Sequence, residues 1–291
     1  MRVQTVAILS PGDMGHGVGR VLKEHGCEII TYVKDRSIRT RRLAKKSGFK
    51  IIDNLEQLVG QADLILSIIV PSEAITLAYR VSSALKRSGK TIHYADCNAV
   101  SPETSRKVGS IIHGVGSNYI DGSIIGGVPK QKSMPRFYVS GPDVSPMEQL
   151  NGKGIIVKSL GPEIGKASGI KMCYAGMTKG TSALHIAVLA AAARMDLTGA
   201  FLDELGFSQE GILTQMQSAI PSLPSKTLRW VGEMEEIAAT YERLGLTAHF
   251  HQGSARIYSL LGQTSLADER AETIDRGRTL NQTIETFLGQ I

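Results

Sequence analysis

Residues 3–159 alternate short apolar runs with amphipathic stretches, and this alternation limits the possible folds more than any other feature of the sequence. The apolar runs at residues 3–9, 28–33 and 63–70 are the clearest predicted strands, and each is followed by a stretch with helical spacing. Strands that alternate with helices across short loops favour right-handed parallel crossovers. The sequence therefore predicts an α/β domain built on a doubly wound parallel sheet.

The sequence changes character after Gly161-Pro162. Residues 164–194 are rich in small and helix-forming residues and contain no proline, which predicts one long helix. Further helices are predicted at residues 208–219, 226–244, 255–261 and 271–288. We therefore expect two domains, an α/β domain at residues 1–163 and an all-helical domain at residues 164–291.

The positive charge of the chain is concentrated in one segment. The formal net charge is +6, and residues 34–46 alone hold seven basic residues and one acidic residue. Aromatic residues make up only 5% of the chain, whereas a nucleic-acid-binding protein would be expected to add stacking aromatics to a broad basic face. We therefore expect no nucleic-acid partner, and a single phosphate group as the target of this segment.

Two absences in the sequence bear on location and metals. No run of 18 apolar residues occurs, so no membrane association is expected. The three cysteines are far apart and form no Cys-x-x-Cys pair, which argues against a disulfide framework and a zinc site. The pair His249 and His251 lacks a second cluster with ligand spacing. We expect a cytoplasmic protein without a bound metal.

The turn after the first predicted strand is Ser10-Pro11-Gly12-Asp13-Met14-Gly15, a degenerate form of Gly-x-Gly-x-x-Gly. In that motif the second glycine lets the backbone approach a pyrophosphate, and the third lets helix and strand pack closely. An ordinary glycine-rich turn explains the motif alone equally well. Its place before the first predicted helix favours a Rossmann-type dinucleotide site, because helix amino termini attract phosphate. The predicted cofactor-binding residues are Pro11, Gly12, Asp13, Met14 and Gly15.

The basic segment indicates which dinucleotide binds. Asp35 has the spacing of the acid that contacts the ribose hydroxyls of NAD, but it lies beyond the predicted strand end, between Lys34 and Arg36. Guanidinium groups recognise phosphate by charge and paired hydrogen bonds. The cluster that begins at Arg36 therefore favours the 2′-phosphate of NADP over NAD. A solvated basic helix face is the alternative.

Residues 70–72, 96–99 and 124–127 each follow a later predicted strand. In open α/β sheets, ligands bind at the carboxyl ends of the strands. Asn98 offers donors and an acceptor on one short side chain, and the amides of Gly126 and Gly127 suit a carboxylate. Each segment also has a structural explanation, because Asn98 can close a loop, Pro71 can shape a turn and a glycine pair can simply permit a bend. The residues alone leave these alternatives open.

Lys171 lies early in the predicted long helix, on a face of small and hydroxyl-bearing residues that includes Ser168 and Thr178. Cys173 and Met177 are expected to face the core. A lysine that is partly desolvated on such a face has a lowered pKa and suits proton transfer. A solvated surface lysine fits the same spacing, so the spacing alone does not decide.

Taken in order, these motifs resemble the β-hydroxyacid dehydrogenase family, which includes 3-hydroxyisobutyrate dehydrogenase and 6-phosphogluconate dehydrogenase. Six segments between residues 3 and 180 are similar to the family's motifs. They are residues 10–15, Arg36-Ser37, residues 69–71, residues 96–102, residues 121–127 and residues 165–171. Four positions depart from the family: Ile125 replaces a serine, Asn98-Ala99 replace Ser-Thr, and Ala175 replaces an asparagine.

The resemblance implies an NADP-dependent oxidoreductase that transfers hydride between nicotinamide and a small hydroxy acid or carbonyl substrate, with Lys171 as general acid and base. It also implies a homodimer. The implied cofactor contacts beyond the glycine turn are Arg36, Ser37, Val70, Pro71 and Asn98. The implied substrate contacts are Asn98, Gly126, Gly127, Tyr174 and Thr178.

Two alternatives stay open at this point. An imine reductase would keep the fold and reduce a C=N bond, although such enzymes usually carry another residue at the position of Lys171. A non-catalytic NADP-binding sensor or interaction protein would be consistent with the altered Ile125 and Ala175.

Overall fold

The computed structural model describes residues 2–34, 36–130, 133–270 and 272–290. The chain divides into two compact units, Met1–Met172 and Cys173–Ile291. The division predicted at residue 163 precedes this one, which falls inside a long helix that begins at Lys166.

In the described residues of the first unit, eight strands form one sheet. The strands are β1 Thr5–Leu9, β2 Glu28–Thr31, β3 Lys50–Ile51, β4 Leu64–Ser67, β5 His93–Asp96, β6 Asn118–Ile125, β7 Arg136–Ser140 and β8 Ile156–Ser159. The helices between them are α1 Asp13–Glu24, α2 Ile38–Lys46, α3 Leu55–Gln61, α4 Ala74–Ser88, α5 Pro102–His113 and α6 Ser145–Glu148.

The strand order is β3-β2-β1-β4-β5-β6-β7-β8, which confirms the predicted doubly wound α/β fold. The first six strands in sequence are parallel, so the carboxyl ends of β1, β2, β4, β5 and β6 share one edge. The expectation of parallel crossovers throughout is wrong for β7, which pairs antiparallel with β6. Residues 126–135 are too few for a crossover helix, because parallel neighbours need a connection of about a dozen residues or more.

Apolar side chains fill both faces of the sheet. Val6 and Ile8 of β1 belong to the cluster on one face, and Ala7 and Leu9 belong to the cluster on the other. Side chains of a strand alternate between the two faces, so a central strand that is buried on both must be apolar throughout. Burial of each such Leu, Ile or Val contributes about 1.5–3 kcal/mol. The sheet therefore holds its carboxyl edge rigidly in place.

The second unit is helical in its described residues. Its elements are the remainder of α7 Lys166–Arg194, then α8 Thr198–Ser208, α9 Glu210–Ala219, α10 Pro224–Arg243, α11 His249–Leu261 and α12 Leu280–Leu288. The prediction of a helix from residue 271 is wrong, because Thr279 caps α12 and the helix begins only after it. No helix of the described residues is long and apolar enough to cross a membrane.

Candidate active site

The glycine turn between β1 and α1 is tight although its first glycine is replaced. Ser10 has φ +63°, in the left-handed region, and its carbonyl accepts a hydrogen bond from the amide of Gly12 at 2.7 Å. Side chains other than glycine adopt this conformation at a cost of about 1–2 kcal/mol. A methyl group on Gly15 would lie 3.1 Å from the Ser10 carbonyl oxygen. Helix and strand therefore pack as closely as a dinucleotide turn requires.

The amino terminus of α1 fits a phosphate group. Among the described residues no side chain caps this terminus, and apart from Gly12 and its chain neighbours no described atom lies within 4 Å of the place where a methyl group on Gly12 would stand. Helix amino termini carry unpaired amides and a partial positive charge, so open space beside them suits an anion. Asp13 is the acid in this turn, and its carboxylate pairs with Arg39 at 2.5 Å. Pro11 and Met14 complete the turn beside the core, with Pro11 buried.

The basic segment follows β2 at the same edge. Arg36 is half-buried and its amide donates to the carbonyl of Val33 at 3.2 Å. The hydroxyl of Ser37 accepts the amide of Thr40 at 3.1 Å, so Ser37 is the cap of α2. A groove of about 700 Å³ lies beside this turn, and its basic lining residues are Lys34, Arg41, Arg42 and Lys45. Asp35 lies outside the described residues.

Asn98 joins the ends of β4 and β5. Its side-chain oxygen accepts the amide of Ile69 at 2.6 Å, and its side-chain nitrogen donates to the hydroxyl of Ser67 at 2.9 Å. The side chain is buried. Asn98 therefore holds Ile69, where the segment that leads to Pro71 begins. Pro71 is buried, whereas Val70, which lies between Ile69 and Pro71, is 43% exposed. These contacts agree with the structural explanation of Asn98, in which its side chain closes a loop.

Asp96 is a buried acid at the end of β5. Burial raises the pKa of Asp96 to about 7, and the charge of Asp121 on the neighbouring strand adds to the rise, whereas the hydrogen bond from the amide of Asn98 opposes it. One carboxyl oxygen, Oδ2, has no hydrogen-bond partner within the described residues. A buried carboxyl with this pKa exchanges its proton near neutral pH.

Lys171 reaches the carboxyl end of β6. Its Nζ atom donates to the backbone carbonyl of Ile124 at 2.7 Å, and the side chain is half-buried. Gly126, with φ +121°, and Gly127 follow Ile124 by two and three residues. The ammonium group and the glycine pair predicted to bind a carboxylate are thus held by the same strand.

The buried face of α7 around Lys171 differs from the prediction. Ala167, Ser168 and Met172 are buried, whereas Cys173 and Met177 are exposed rather than in the core. Helical spacing identifies a face but not the surface that covers it. Ser168, which was predicted to lie on the same face as Lys171, is instead buried and anchors the helix.

The loop after β6 packs on α1. A methyl group on Gly17 would stand only 2.4 Å from Val128 Cγ1, so this glycine makes room for the valine. The guanidinium group of Arg20 also donates to the carbonyl of Pro129 at 3.2 Å. The helix that carries the glycine turn therefore supports the loop that begins with Gly126 and Gly127.

Tyr174 and Thr178 follow Lys171 along α7 by three and seven residues, inside the second unit. Tyr174 is 42% exposed. The hydroxyl of Thr178 donates to the Tyr174 carbonyl at 2.9 Å, a bond within the helix. Their assignment to the substrate therefore stays a prediction.

The two histidines of α11 have ordinary partners. His249 Nδ1 bonds with the side-chain oxygen of Gln252 at 3.0 Å, and the buried ring of His251 packs edge-on against Tyr241 with centroids 4.4 Å apart. Across the described ranges, no three His, Cys, Asp or Glu side chains lie together in a group that could hold a metal ion.

The contact between Asp121 and Ser168 was not predicted from the sequence; the two residues are hydrogen-bonded to each other in the interior. A signal was present for Asp121, because an acid in the middle of a predicted buried strand must find partners there. Helical spacing placed Ser168 on the face of Lys171, but no local pattern indicated its buried partner, which lies 47 residues away.

Comparison with known proteins agrees with this geometry. Residues 5–150 match the family described as the NAD binding domain of 6-phosphogluconate dehydrogenase, and residues 192–261 match a domain of unknown function, DUF1932. The structure described as conserved protein MTH1747 of unknown function, similar to 3-hydroxyacid dehydrogenases, is 27% identical. The match covers 88% of this chain and 96% of that one, with a TM-score of 0.66.

Two more distant structures share the fold. A 3-hydroxyisobutyrate dehydrogenase of Mycobacterium tuberculosis with L-serine is 16% identical, with a TM-score of 0.68, over 98% of this chain and 99% of that one. An imine reductase variant of Myxococcus stipitatus in complex with NAD+ is 16% identical, with a TM-score of 0.53, over 99% of this chain and all of that one. The chain belongs to the family with the NAD-binding domain of 6-phosphogluconate dehydrogenase, as a divergent member of the β-hydroxyacid dehydrogenase type.

Proposed function

We propose that this protein is an NADP-dependent oxidoreductase that interconverts a small hydroxy acid and its carbonyl form, with Lys171 as the proton-transfer group. The observation that carries the proposal is the bond from Lys171 Nζ to the carbonyl of Ile124, two residues before the glycine pair. A base and a carboxylate-binding backbone on one strand end suit a hydroxy acid, whose hydroxyl and carboxylate are close together.

The nicotinamide cofactor would be held along the same edge of the sheet. The uncapped amides at the start of α1 suit its pyrophosphate, and the space over Gly12 admits it. Arg36 and the neighbouring basic groove support a preference for NADP, because the 2′-phosphate adds charge there. Ser37 assists by shaping this turn as the cap of α2. Val70 and Pro71, held by Asn98, would flank the nicotinamide.

The nicotinamide supplies or accepts the hydride when it is bound. The neutral amine of Lys171 accepts the hydroxyl proton of the substrate during oxidation, and the ammonium form returns it during reduction. The amides of Gly126 and Gly127 would orient the substrate carboxylate, and Tyr174 and Thr178 stay predicted substrate contacts. Asn98 acts on the substrate chiefly by fixing the end of β4 next to it. We further propose a cytoplasmic homodimer, and size-exclusion chromatography with light scattering tests the dimer.

The test of the proposal is a titration with NADPH and with NADH, followed by nicotinamide fluorescence. We expect tighter binding of NADPH, and then turnover within a panel of hydroxy acids, aldehydes and imines. Binding of neither dinucleotide would contradict the cofactor assignment. Binding of NADPH without any turnover would favour a non-catalytic sensor, and turnover of imines alone would favour an imine reductase.

A further inference from the structure

A charged side chain lies inside the sheet at the centre of β6. Asp121 is 1% exposed and is the register partner of Asp96 on β5. Its strand neighbours are mostly apolar, so the fold places a carboxylate where an apolar residue would be expected. A charge is retained in such a place only if other groups solvate it in place of water.

Four donors surround the Asp121 carboxylate. Its Oδ2 atom accepts the amide of Gly165 at 2.8 Å, the amide of Ser168 at 3.1 Å and the hydroxyl of Ser140 at 3.0 Å. Its Oδ1 atom accepts the hydroxyl of Ser168. The two amides belong to the amino terminus of α7, where unpaired N–H groups and the helix dipole favour an anion. The carboxylate is therefore the anchor of the first turn of α7.

The same strand and helix meet a second time at Lys171. Ile124 follows Asp121 by three residues along β6, and Lys171 follows Ser168 by three residues along α7. One contact is the Asp121–Ser168 pair, and the other is the bond from Lys171 Nζ to the Ile124 carbonyl. Because β6 and the first turn of α7 are rigid elements, the contact at Asp121 sets the height and rotation at which Lys171 meets the strand.

We propose that Asp121 is the positioning residue for Lys171, through the buried contact with the first turn of α7. This inference rests on the proposed function, in which Lys171 transfers the proton. One strand then carries three parts of the site: the anchor of the helix, the carbonyl that holds the ammonium group, and the glycine pair that follows. The distance between Lys171 and the glycine pair is then set by β6 together with the first turn of α7.

The test compares Asp121→Asn with Asp63→Asn. Asp63 is a matched control because its Oδ2 atom also accepts two backbone amides, those of Gln4 and Thr5 at 2.8 and 2.9 Å, at the opposite edge of the sheet. In Asp121→Asn we expect kcat to fall about 10²-fold with little change in KM, because misplacement of a catalytic group by about 1 Å has that effect. Affinity for NADPH should not change, and Asp63→Asn should keep the wild-type kcat.

A second readout does not need turnover. Acetylation of Lys171 by acetic anhydride, followed over pH by peptide mass spectrometry, reports the reactivity and pKa of its amine. We expect the pH profile of Lys171 acetylation to move in Asp121→Asn and to stay unchanged in Asp63→Asn. If no substrate is ever found, the proposed function fails while this readout still tests the positioning.

Ser168→Ala is the second variant, because it removes only the hydroxyl contact and keeps both amides on the carboxylate. If Asp121→Asn does not fold, Ser168→Ala should still show a smaller change in the acetylation profile and a smaller loss of kcat. A folded Asp121→Asn with wild-type kcat and wild-type Lys171 acetylation would overturn the proposal. So would a Ser168→Ala variant with both unchanged when Asp121→Asn is unfolded.

Discussion

The carboxyl edge of the sheet is built differently at its two ends. One end is formed by the turns at α1 and α2, and the other by the contact between β6 and α7. Around α1 and α2 the ion pair of Asp13 and Arg39 is about one-third to one-half exposed, and among the described residues no side chain caps the amino terminus of α1. Around β6 and α7 the charged group is Asp121, which is buried and surrounded by four donors. The end at α1 presents charged groups in contact with water, whereas the end at β6 holds its charged group in the protein interior by hydrogen bonds.

The difference teaches which property each end controls. Exposed charges are screened by salt and each contributes little, so affinity and cofactor choice at the α1 end change by modest steps. A buried hydrogen-bonded network responds strongly to the loss of one member, because the partners are left unpaired in the interior. Substitutions at the β6 end should therefore affect turnover and stability more than substitutions at the α1 end affect binding.

The largest effect is expected for Lys171→Met. Loss of the proton carrier should lower kcat about 10²-fold or more while NADPH affinity is retained. Lys166→Met is the control on the same helix, because Lys166 is exposed and pairs only at the surface with Glu163 at 3.3 Å. Steady-state kinetics on both variants checks this, and wild-type kcat in Lys171→Met would remove the lysine from the mechanism.

The next effect concerns stability and pH at Asp96. The pKa of this acid is raised to about 7 in the folded protein, so between about pH 4 and pH 7 the folded state holds a proton that the unfolded state has released. This contribution to stability is present at low pH and is lost as the pH rises through 7. We expect Asp96→Asn to lack that loss.

Urea unfolding of the wild type and Asp96→Asn at a series of pH values measures this. The difference between the two free energies of unfolding should change by a few kcal/mol across the interval, at about 1.4 kcal/mol per unit of pKa shift. A constant difference across that interval would show that Asp96 is ionised in the folded state.

A smaller effect is expected at the α1 end for Arg36→Ala. Removal of one guanidinium group from the 2′-phosphate should weaken NADPH binding about tenfold and leave NADH binding unchanged. The control is Arg87→Ala, since Arg87 is an exposed arginine of α4 paired with Glu56. Fluorescence titration at two salt concentrations tests the assignment, and an equal loss for both dinucleotides would argue against a phosphate contact.

The smallest effect is expected where α1 contacts the loop after β6. Gly17→Ala places a methyl group against Val128, so the loop that carries Gly126 and Gly127 must shift. We expect KM for the hydroxy acid to rise about threefold to tenfold with unchanged NADPH affinity. Gly60→Ala adds a methyl group to a glycine of α3 where no atom lies within 4 Å, and it should leave KM unchanged. A change in NADPH affinity instead would place the effect in α1 itself.

Much of the first unit could be predicted from sequence because its signals are local. The run before Ser10 and the glycines after it predict a strand, a turn and a helix in immediate succession, and β1 Thr5–Leu9 and α1 Asp13–Glu24 are present. Lys171 was predicted with its helix, since residues 164–194 contain no proline and the resemblance marks the lysine.

The rest depended on information that no short window contains. The direction of β7 depends on the length of the loop before it, and the role of Ser168 depends on a partner in another strand. Helix α8 was not predicted from the sequence, because none of its residues is buried and it therefore has no apolar stripe. The start of α12 had a local signal in Thr279 and Gln282, the capping box, which outweighed the apolar residues before it.

The reversal of the chain at β7 gives the protein a place that tolerates change. The pairing of Ile125 with Arg136 closes residues 126–135 at their base, so insertions there leave the sheet paired on both sides. In a parallel crossover the same insertion would have to be absorbed by a packed helix. In the proposed function, a change in the length of this loop would therefore alter the surroundings of the substrate without moving Lys171 or β6.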